Sequence, residues 1–374
     1  MAGVYLDWNA TAKVRPEAIA AVTQAMIAGG NPSSIHATGR AARATVEAAR
    51  EAVAALVGVK PGSITFLSGG TEASNLAIES AVLAGYERII VGATEHEAVV
   101  ESARASGLPV ETWPVDGEGV ADLAWLETAL RAPGRPLVCL MLANNETGVI
   151  QPVAAAAALV RAAEGWLHVD AVQAAGKIPV DFNALGADTM ALSAHKLGGP
   201  QGVGALAAGE RAKITRRMQG GGQERGRRSG TENVPGIAGF GAAAQAAQAG
   251  LEALAAQAAW RDAAAERVAG AAVQIGAGAP RLPQTLCLAA PGFESGLQVM
   301  NLDLAGVMIS AGAACSSGKV KASHVVESMG HPDLAPCVIR VSGGWDTTQE
   351  DWRRFGDAWI EAHARHAARR REVA

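Results

Sequence analysis

The chain has 374 residues, of which 49% are hydrophobic and 18% charged, and a formal net charge of −4. That length holds a full core and suggests two domains, or one large domain with a smaller partner. The weakly acidic balance leaves no basic footprint for nucleic acid, and no apolar run reaches the length of a membrane helix.

The first residues, "MAGVYLDWNATAKV", lack the basic start, apolar stretch and cleavage site of an export signal. A cytoplasmic protein is expected. The four cysteines, Cys139, Cys287, Cys315 and Cys337, form no C-x-x-C pair and no zinc spacing. They suit a reduced compartment, and no metal site is expected.

In chain order, "GSITFLSGGTEASNLAIESAVL" reads as a strand at Ile64 to Leu67, a Gly-rich turn, and a helix starting near Thr71 and Glu72. "RIIVGATEHEAVVESA" repeats strand, loop and helix. "PLVCLMLANNETGVIQPVAAAAALVRAA" does so again, with Val138 to Leu142 as the strand. "WLHVD" is a strand ending at Asp170, and "ADTMALSAHKLGGPQGVGALAA" holds two strands around a loop. Alternating strands and helices predict a mainly parallel sheet wrapped by helices, an α/β fold. From about Gly241 to Val273 the chain is Ala-rich and helical. Beyond it, "RLPQTLCLAA", "VMISAGA" and "CVIRVSGG" read as short strands of a smaller α+β domain. The basic tail "RHAARRREV" reads as a solvated helix end, and His363 with His366 as a solvated face.

Gly70, Thr71, His96, Asn145, Asp170 and His195 all fall just after predicted strands. In such sheets ligands sit beyond the carboxyl ends of the strands, so these residues converge on one site. Lysine is scarce, with seven in the chain. Lys196 lies at a strand end among small residues. It is either a Schiff-base lysine, whose amine burial would deprotonate, or an exposed loop lysine. Asp170 is either a partner for a protonated ring nitrogen, as pyridoxal phosphate requires, or the cap of "AVQAAG". "SGGTEASN" offers free backbone N–H groups at a helix start, which suits a phosphate or an ordinary capped turn. His96 stacks on a ring or moves protons, or it is a cap. Arg340 clamps a carboxylate, or it forms a structural ion pair. "GGGQERGRRSGTEN" has no apolar residue to anchor it and reads as an interface or anion-binding loop. Cys315, in "SAGAACSSGKVK", sits among small residues, unlike Cys139 in "LVCLML", which reads as core.

Together these motifs resemble one family across more than 300 residues. "YLDWNATA", "GNPSSIHATGRAA", "SGGTEASNLAI", "TEHEAV", "NNETGVIQPV", "HVDAVQAAGK", "SAHKLGGPQGVGAL", "GGGQERGRRSGTEN" and "SAGAACSSGKVKASHV" occur in order. The chain is similar to the cysteine desulfurases of the nitrogen-fixation and housekeeping group, in the class V aminotransferase superfamily. The resemblance implies a fold type I pyridoxal 5'-phosphate enzyme that converts L-cysteine to L-alanine. It implies a large cofactor domain at 16–250, and a small domain of 1–15 and 251–374 carrying the cysteine loop.

The resemblance also implies roles. Lys196 would hold the cofactor as a Schiff base. Asp170 would pair with the pyridine nitrogen, Gln173 would bond the ring hydroxyl, and His96 would stack on the ring and assist proton transfer. Thr71, Gly70, Ser193 and His195 would hold the phosphate. Thr231 would reach the phosphate of the neighbouring subunit in a homodimer. Asn145 and Arg340 would hold the substrate carboxylate, with Asn9, Asn31 and His36 at the entrance. Cys315, as a thiolate favoured by Lys319 and Lys321, would take the sulfur as a persulfide. It would then pass it to an iron–sulfur scaffold or another acceptor protein. An aminotransferase or a selenocysteine lyase on the same fold is the alternative. The family's pattern is departed from at Ala12, Lys13, Ala322 and in "SGGWDTT", and none of these changes removes a catalytic role.

Overall fold

The computed structural model describes residues 3–312 and 321–373, with side chains as far as residue 370. The chain opens on strand β1 (Val4–Tyr5). Seven strands then build the main sheet. They are β2 (Ile64–Leu67), β3 (Arg88–Gly92), β4 (Val110–Trp113), β5 (Pro136–Met141), β6 (Trp166–Asp170), β7 (Thr189–Ser193) and β8 (Gly204–Ala208). Their order is β2-β8-β7-β6-β5-β3-β4. Only β8 runs against its neighbours, so the expected mainly parallel sheet is present. The expected strand at Val138 to Leu142 starts earlier, at Pro136, a residue tolerated at the first position of a strand.

β3, β5, β6, β7 and β8 are buried along their whole length, as expected of strands covered on both faces. Successive side chains go to opposite faces. Ile89, Val91, Leu137 and Cys139 pack with Ile78, Val99 and Ala103 from the helices Gly70–Leu83 and Glu97–Ala105. Ile90, Val138, Leu140 and Val169 pack on the other face. There they meet Val46, Val53, Val160 and Phe240 from the helices Ala37–Leu56, Val153–Ala162 and Val234–Ala249. Cys139 is fully buried here, and burial raises its thiol pKa well above the ordinary value, so it is a core residue.

The Ala-rich stretch is helical but broken. Helices span Val234–Ala249, Leu251–Ala255 and Gln257–Val268, with Gly250 at the first break, where glycine's low helix propensity favours an end. Then come β9 (Val273–Gln274), β10 (Thr285–Ala289), β11 (Val307–Met308), β12 (Ser310–Ala311) and β13 (Val338–Ser342). Four of these form an antiparallel sheet in the order β12-β13-β10-β9. Its Leu286, Leu288, Ile339 and Val341 pack on Trp352, Phe355 and Trp359 of the last helix, Gln349–Val373. β1 pairs in parallel with β11, and Val4 and Leu6 enter this second core.

One difference from the sequence reading, and two features it left unexplained, have physical causes. His363 and His366 are not a solvated face. His363 stacks on Trp359 at 5.1 Å, and His366 stacks on Phe293 at 4.4 Å while bonding Gly292 O. The Gly-rich run 220–233 does have an anchor, and it is ionic. Glu224 is buried against Arg50 through two 2.8 Å bonds and accepts a third from the Phe66 amide. Arg228 meets Glu72, and Arg227 bonds Gly62 O. Finally, two departures from the family pattern meet in space. Lys13 Nζ pairs with Asp346 at 3.1 Å, and Trp345 Nε1 donates to Lys13 O.

Candidate active site

The carboxyl ends of the parallel strands open into a cavity of about 330 Å³. The turn after β2 places Gly70 and Thr71 on it, and the loop after β3 places His96. The turn after β5 contributes Asn145. β6 ends in Asp170, with Gln173 beyond it, and β7 delivers Ser193, His195 and Lys196. Asn9 reaches in from the N-terminal segment and Arg340 from β13. The six residues singled out after predicted strands therefore share one cavity.

Lys196 Nζ donates to Asn9 O at 2.7 Å and Ala10 O at 2.8 Å. Burial lowers its pKa to about 8. Arg340 adds to this lowering, and Asp170 and Asp7 oppose it. A usable fraction of free amine therefore exists near neutral pH. Asp170 shows both of its sequence readings at once. Its Oδ1 accepts from the Val172 amide at 2.9 Å, as a cap does, and the same carboxyl faces the cavity. Burial raises its pKa, and among the described residues no ion pair neutralises it. A buried carboxylate in that condition calls for a cationic ligand.

His96 also serves twice. It caps the helix Glu97–Ala105, with Nδ1 accepting from the Ala98 amide at 3.0 Å. That bond leaves Nε2 as the nitrogen that can carry a proton. His195 contacts Thr11 Oγ1 through Nδ1, and burial lowers its pKa to about 4, with Lys196 and Lys177 adding to the effect. Arg340 realises the ion-pair reading, because its Nη2 donates to Asp7 at 2.7 Å and its Nη1 to Asn145 O at 3.3 Å. Its Nε is buried with no partner among the described residues, so one donor remains open.

Several expected residues lie elsewhere. Thr231 lines a separate cavity with Ser68, Gly202 and Asn233, not the one around Lys196. Asn31 and His36 are likewise not on that cavity in their own chain. Asn31 accepts from the Ser33 amide, and His36 caps the helix Ala37–Leu56. Cys315 and Lys319 lie outside the described residues, and Lys321 is exposed. The strand leading to that segment is β12, where Ser310 pairs with Arg340.

Two buried residues, Lys177 and Glu95, and the half-buried Asp7 escaped the sequence reading. Lys177 donates to Asn9 Oδ1 at 3.1 Å and to Gln173 Oε1. Its only signal was a lysine four positions after Gln173. Glu95 accepts from the Met141 amide, and burial with Asp170 nearby raises its pKa well above the ordinary value. Asp7 partners Arg340 across 333 residues, a separation no local pattern reveals.

The residues present fit pyridoxal phosphate. A lysine amine, an un-neutralised buried carboxylate and a histidine face one cavity. The first-turn N–H groups of the helix Gly70–Leu83 open on it too, which suits a phosphate. A Cβ at Gly70 would lie 2.7 Å from Val172 Cγ2, so only glycine keeps this wall open without displacing Val172. This fold and site define the fold type I class of pyridoxal-phosphate enzymes. The family model for class-V aminotransferases matches residues 4–355. The chain is 43% identical to a cysteine desulfurase of Cereibacter sphaeroides, covering 94% of this chain and 93% of that one. It is 38% identical to the cysteine desulfurase IscS of Dictyoglomus turgidum, covering 93% and 91%. The solved NifS-like protein of Rickettsia africae superposes with a TM-score of 0.88 at 30% identity, covering 97% of this chain and 99% of that one. The chain belongs to the class-V aminotransferase family, within its cysteine desulfurase branch.

Proposed function

We propose that this chain releases sulfur from L-cysteine as a persulfide on Cys315 and leaves L-alanine. The single observation that carries the reading is the pairing of Lys196 with the un-neutralised carboxylate of Asp170 on one cavity. Pyridoxal phosphate, when bound, supplies an electron sink for charge that develops at the substrate Cα.

The chain's own groups do the rest. Lys196 would anchor the cofactor, and its amine, with a pKa lowered to about 8, would take the substrate Cα proton. Asp170 would keep the ring nitrogen protonated, and Gln173 would bond the ring hydroxyl. Gly70, Thr71, Ser193 and His195 hold the phosphate. His96 would pack on the ring, with Nε2 as the nitrogen free to move a proton. Arg340 offers its guanidinium to the substrate carboxylate beside Asn145, with Asn9 closing that side. A thiolate at Cys315 attacks the substrate sulfur as the substrate's Cβ–S bond breaks, and protonation of the carbon left behind gives alanine; the described strand before Cys315 is β12, which pairs with the strand that carries Arg340.

The working unit proposed is a homodimer. Thr231, Asn31 and His36 stand off their own chain's cavity, which suits residues that complete the partner's. Ile27 and Ile35 are 81% and 90% exposed, an apolar surface that calls for cover. The division into 16–250 and 1–15 plus 251–374 is supported by the two sheets and by β1 joining β11. The proposed acceptor is an iron–sulfur scaffold or another sulfur-accepting protein that meets the Cys315 loop in the cytoplasm. Among the described residues no helix is long and apolar enough to cross a membrane.

The test is a cysteine turnover assay that measures alanine and sulfide on the wild type, Lys196→Ala and Cys315→Ser. The wild type should yield both products. Lys196→Ala should yield neither, and Cys315→Ser should form no persulfide. Equal alanine from all three would overturn the proposal. Alanine that persists in Cys315→Ser with selenocysteine alone would point to a lyase, and persistent transamination to an aminotransferase.

A further inference from the structure

We infer that Lys177 is a positioning residue that locks the Gln173 amide with its N–H side toward the cofactor cavity. The inference rests on the functional reading above, which makes Gln173 a ligand of the cofactor's ring oxygen.

Lys177 is buried, and so are the two residues its amine touches, Asn9 and Gln173. Its Nζ donates to Asn9 Oδ1 and to Gln173 Oε1. On the other end of the same amide, Gln173 Nε2 donates to Asn9 O at 2.9 Å. Rotating the amide by half a turn would set its NH2 against the lysine donor and its oxygen against the Asn9 carbonyl. Both contacts would be repulsive, so the amide has one acceptable orientation. An amide nitrogen carries two hydrogens, and only one is used by Asn9 O. Gln173 lines the cavity, so its second hydrogen is free for an acceptor there. Gln173 therefore meets the ring oxygen as a donor, and it favours the deprotonated oxygen.

The same amine orders the substrate side. With Oδ1 held by Lys177, Asn9 turns its Nδ2 to Asn145 O at 3.2 Å and Thr285 Oγ1 at 3.0 Å. Asn145 O is also where Arg340 Nη1 donates. One buried amine thus ties the ring-oxygen ligand to the carboxylate-binding pair.

The charges around Lys177 agree with this role. Among the described residues no carboxylate pairs with it. Burial first, then the cations Lys196 and Arg340, lower its pKa well below the ordinary lysine value.

The experiment measures pyridoxal-phosphate affinity and the pH titration of the bound cofactor's visible band. It compares wild type, Lys177→Met, Gln173→Met, the double variant and Gln173→Glu. In Lys177→Met the dissociation constant should rise about tenfold, the effect of one lost buried hydrogen bond. The band midpoint should move up by about one pH unit, because the deprotonated ring oxygen loses its fixed donor. Gln173→Met should show the same two changes, and the double variant should add nothing to them. Gln173→Glu keeps the shape but replaces the pocket-facing N–H with an oxygen, so its midpoint should also rise. That variant leaves Lys177 intact, so the loss of the Gln173 donor is still read if Lys177→Met does not fold. Wild-type affinity and midpoint in Lys177→Met, with only a lower melting temperature, would overturn the inference. So would an unchanged midpoint in Gln173→Glu. Failure of the wild type to take up pyridoxal phosphate would instead overturn the functional reading.

Discussion

The cavity floor and the Gly-rich run at 220–233 both bury charge, and they treat it in opposite ways. At the run, Arg50 and Glu224 satisfy each other through two bonds, and the Phe66 amide takes up more of the carboxylate. That pair leaves no charge of its own over for a ligand. At the cavity, Asp170 is buried with no contact ion pair among the described residues, Lys177 sits among neutral acceptors, and Arg340 Nε has no partner among them. A closed ion pair holds structure together, whereas buried groups left incomplete wait for something to bind.

The comparison can be broken by substitution. The largest effect is expected from Lys196→Ala, which should lower alanine production by at least about 10³-fold while the protein still folds. A turnover assay beside a thermal melt separates the two readouts. Next, Arg50→Met should leave Glu224 buried and unpaired and should lower stability by about 3–5 kcal/mol, read by urea unfolding. Replacing both partners with apolar residues should recover most of that loss. If Arg50→Met instead lost cofactor binding at unchanged stability, the contrast between the two regions would collapse.

A third test concerns His168, buried between Ser74 and Thr189 at the sheet's core. Burial lowers its pKa to about 3. The unfolded chain therefore binds the proton first, and stability falls as the pH drops below the ordinary histidine value. The loss from this group at pH 5 should be about 2 kcal/mol, and it should be reduced in His168→Gln. The smallest effect is the most pointed one. Asp170→Asn should raise the stability of the cofactor-free protein by about 1 kcal/mol, because it removes a buried charge whose desolvation outweighs the pull of Lys196 and His96. The same change should weaken cofactor chemistry severely. A cofactor-free Asp170→Asn protein less stable than the wild type would show that Asp170 is held by the fold after all. Similarly, cyanate labelling of Lys196 in the cofactor-free protein should rise with pH and reach half its maximum near pH 8.

Much of this was legible along the chain. Fully apolar runs became buried strands, and the residues that follow them became the cavity wall, because parallel strands deliver their ends to one edge. Asp170 and His96 show why local reading left two options open for each. The cap and the cavity wall are the same place, since a helix that starts at a strand's carboxyl end has its cap at the site. Arg340 followed the same course, pairing with Asp7 while keeping one donor free. His363 and His366 were misread because their spacing gave no sign of Phe293, whose ring lies 70 or more residues away in sequence.

By itself the sequence determined the alternation of strands and helices, the family, and the set of groups after each strand. Hydrophobic period and turn chemistry are local properties, so these needed no coordinates. Only the tertiary structure decided which buried charges are closed and which are open. That distinction depends on partners such as Arg50 with Glu224, Arg340 with Asp7, and Lys177 with Asn9, which lie 174, 333 and 168 positions apart. A charge's state is set by what the fold packs against it, and no spacing along the chain encodes that distance.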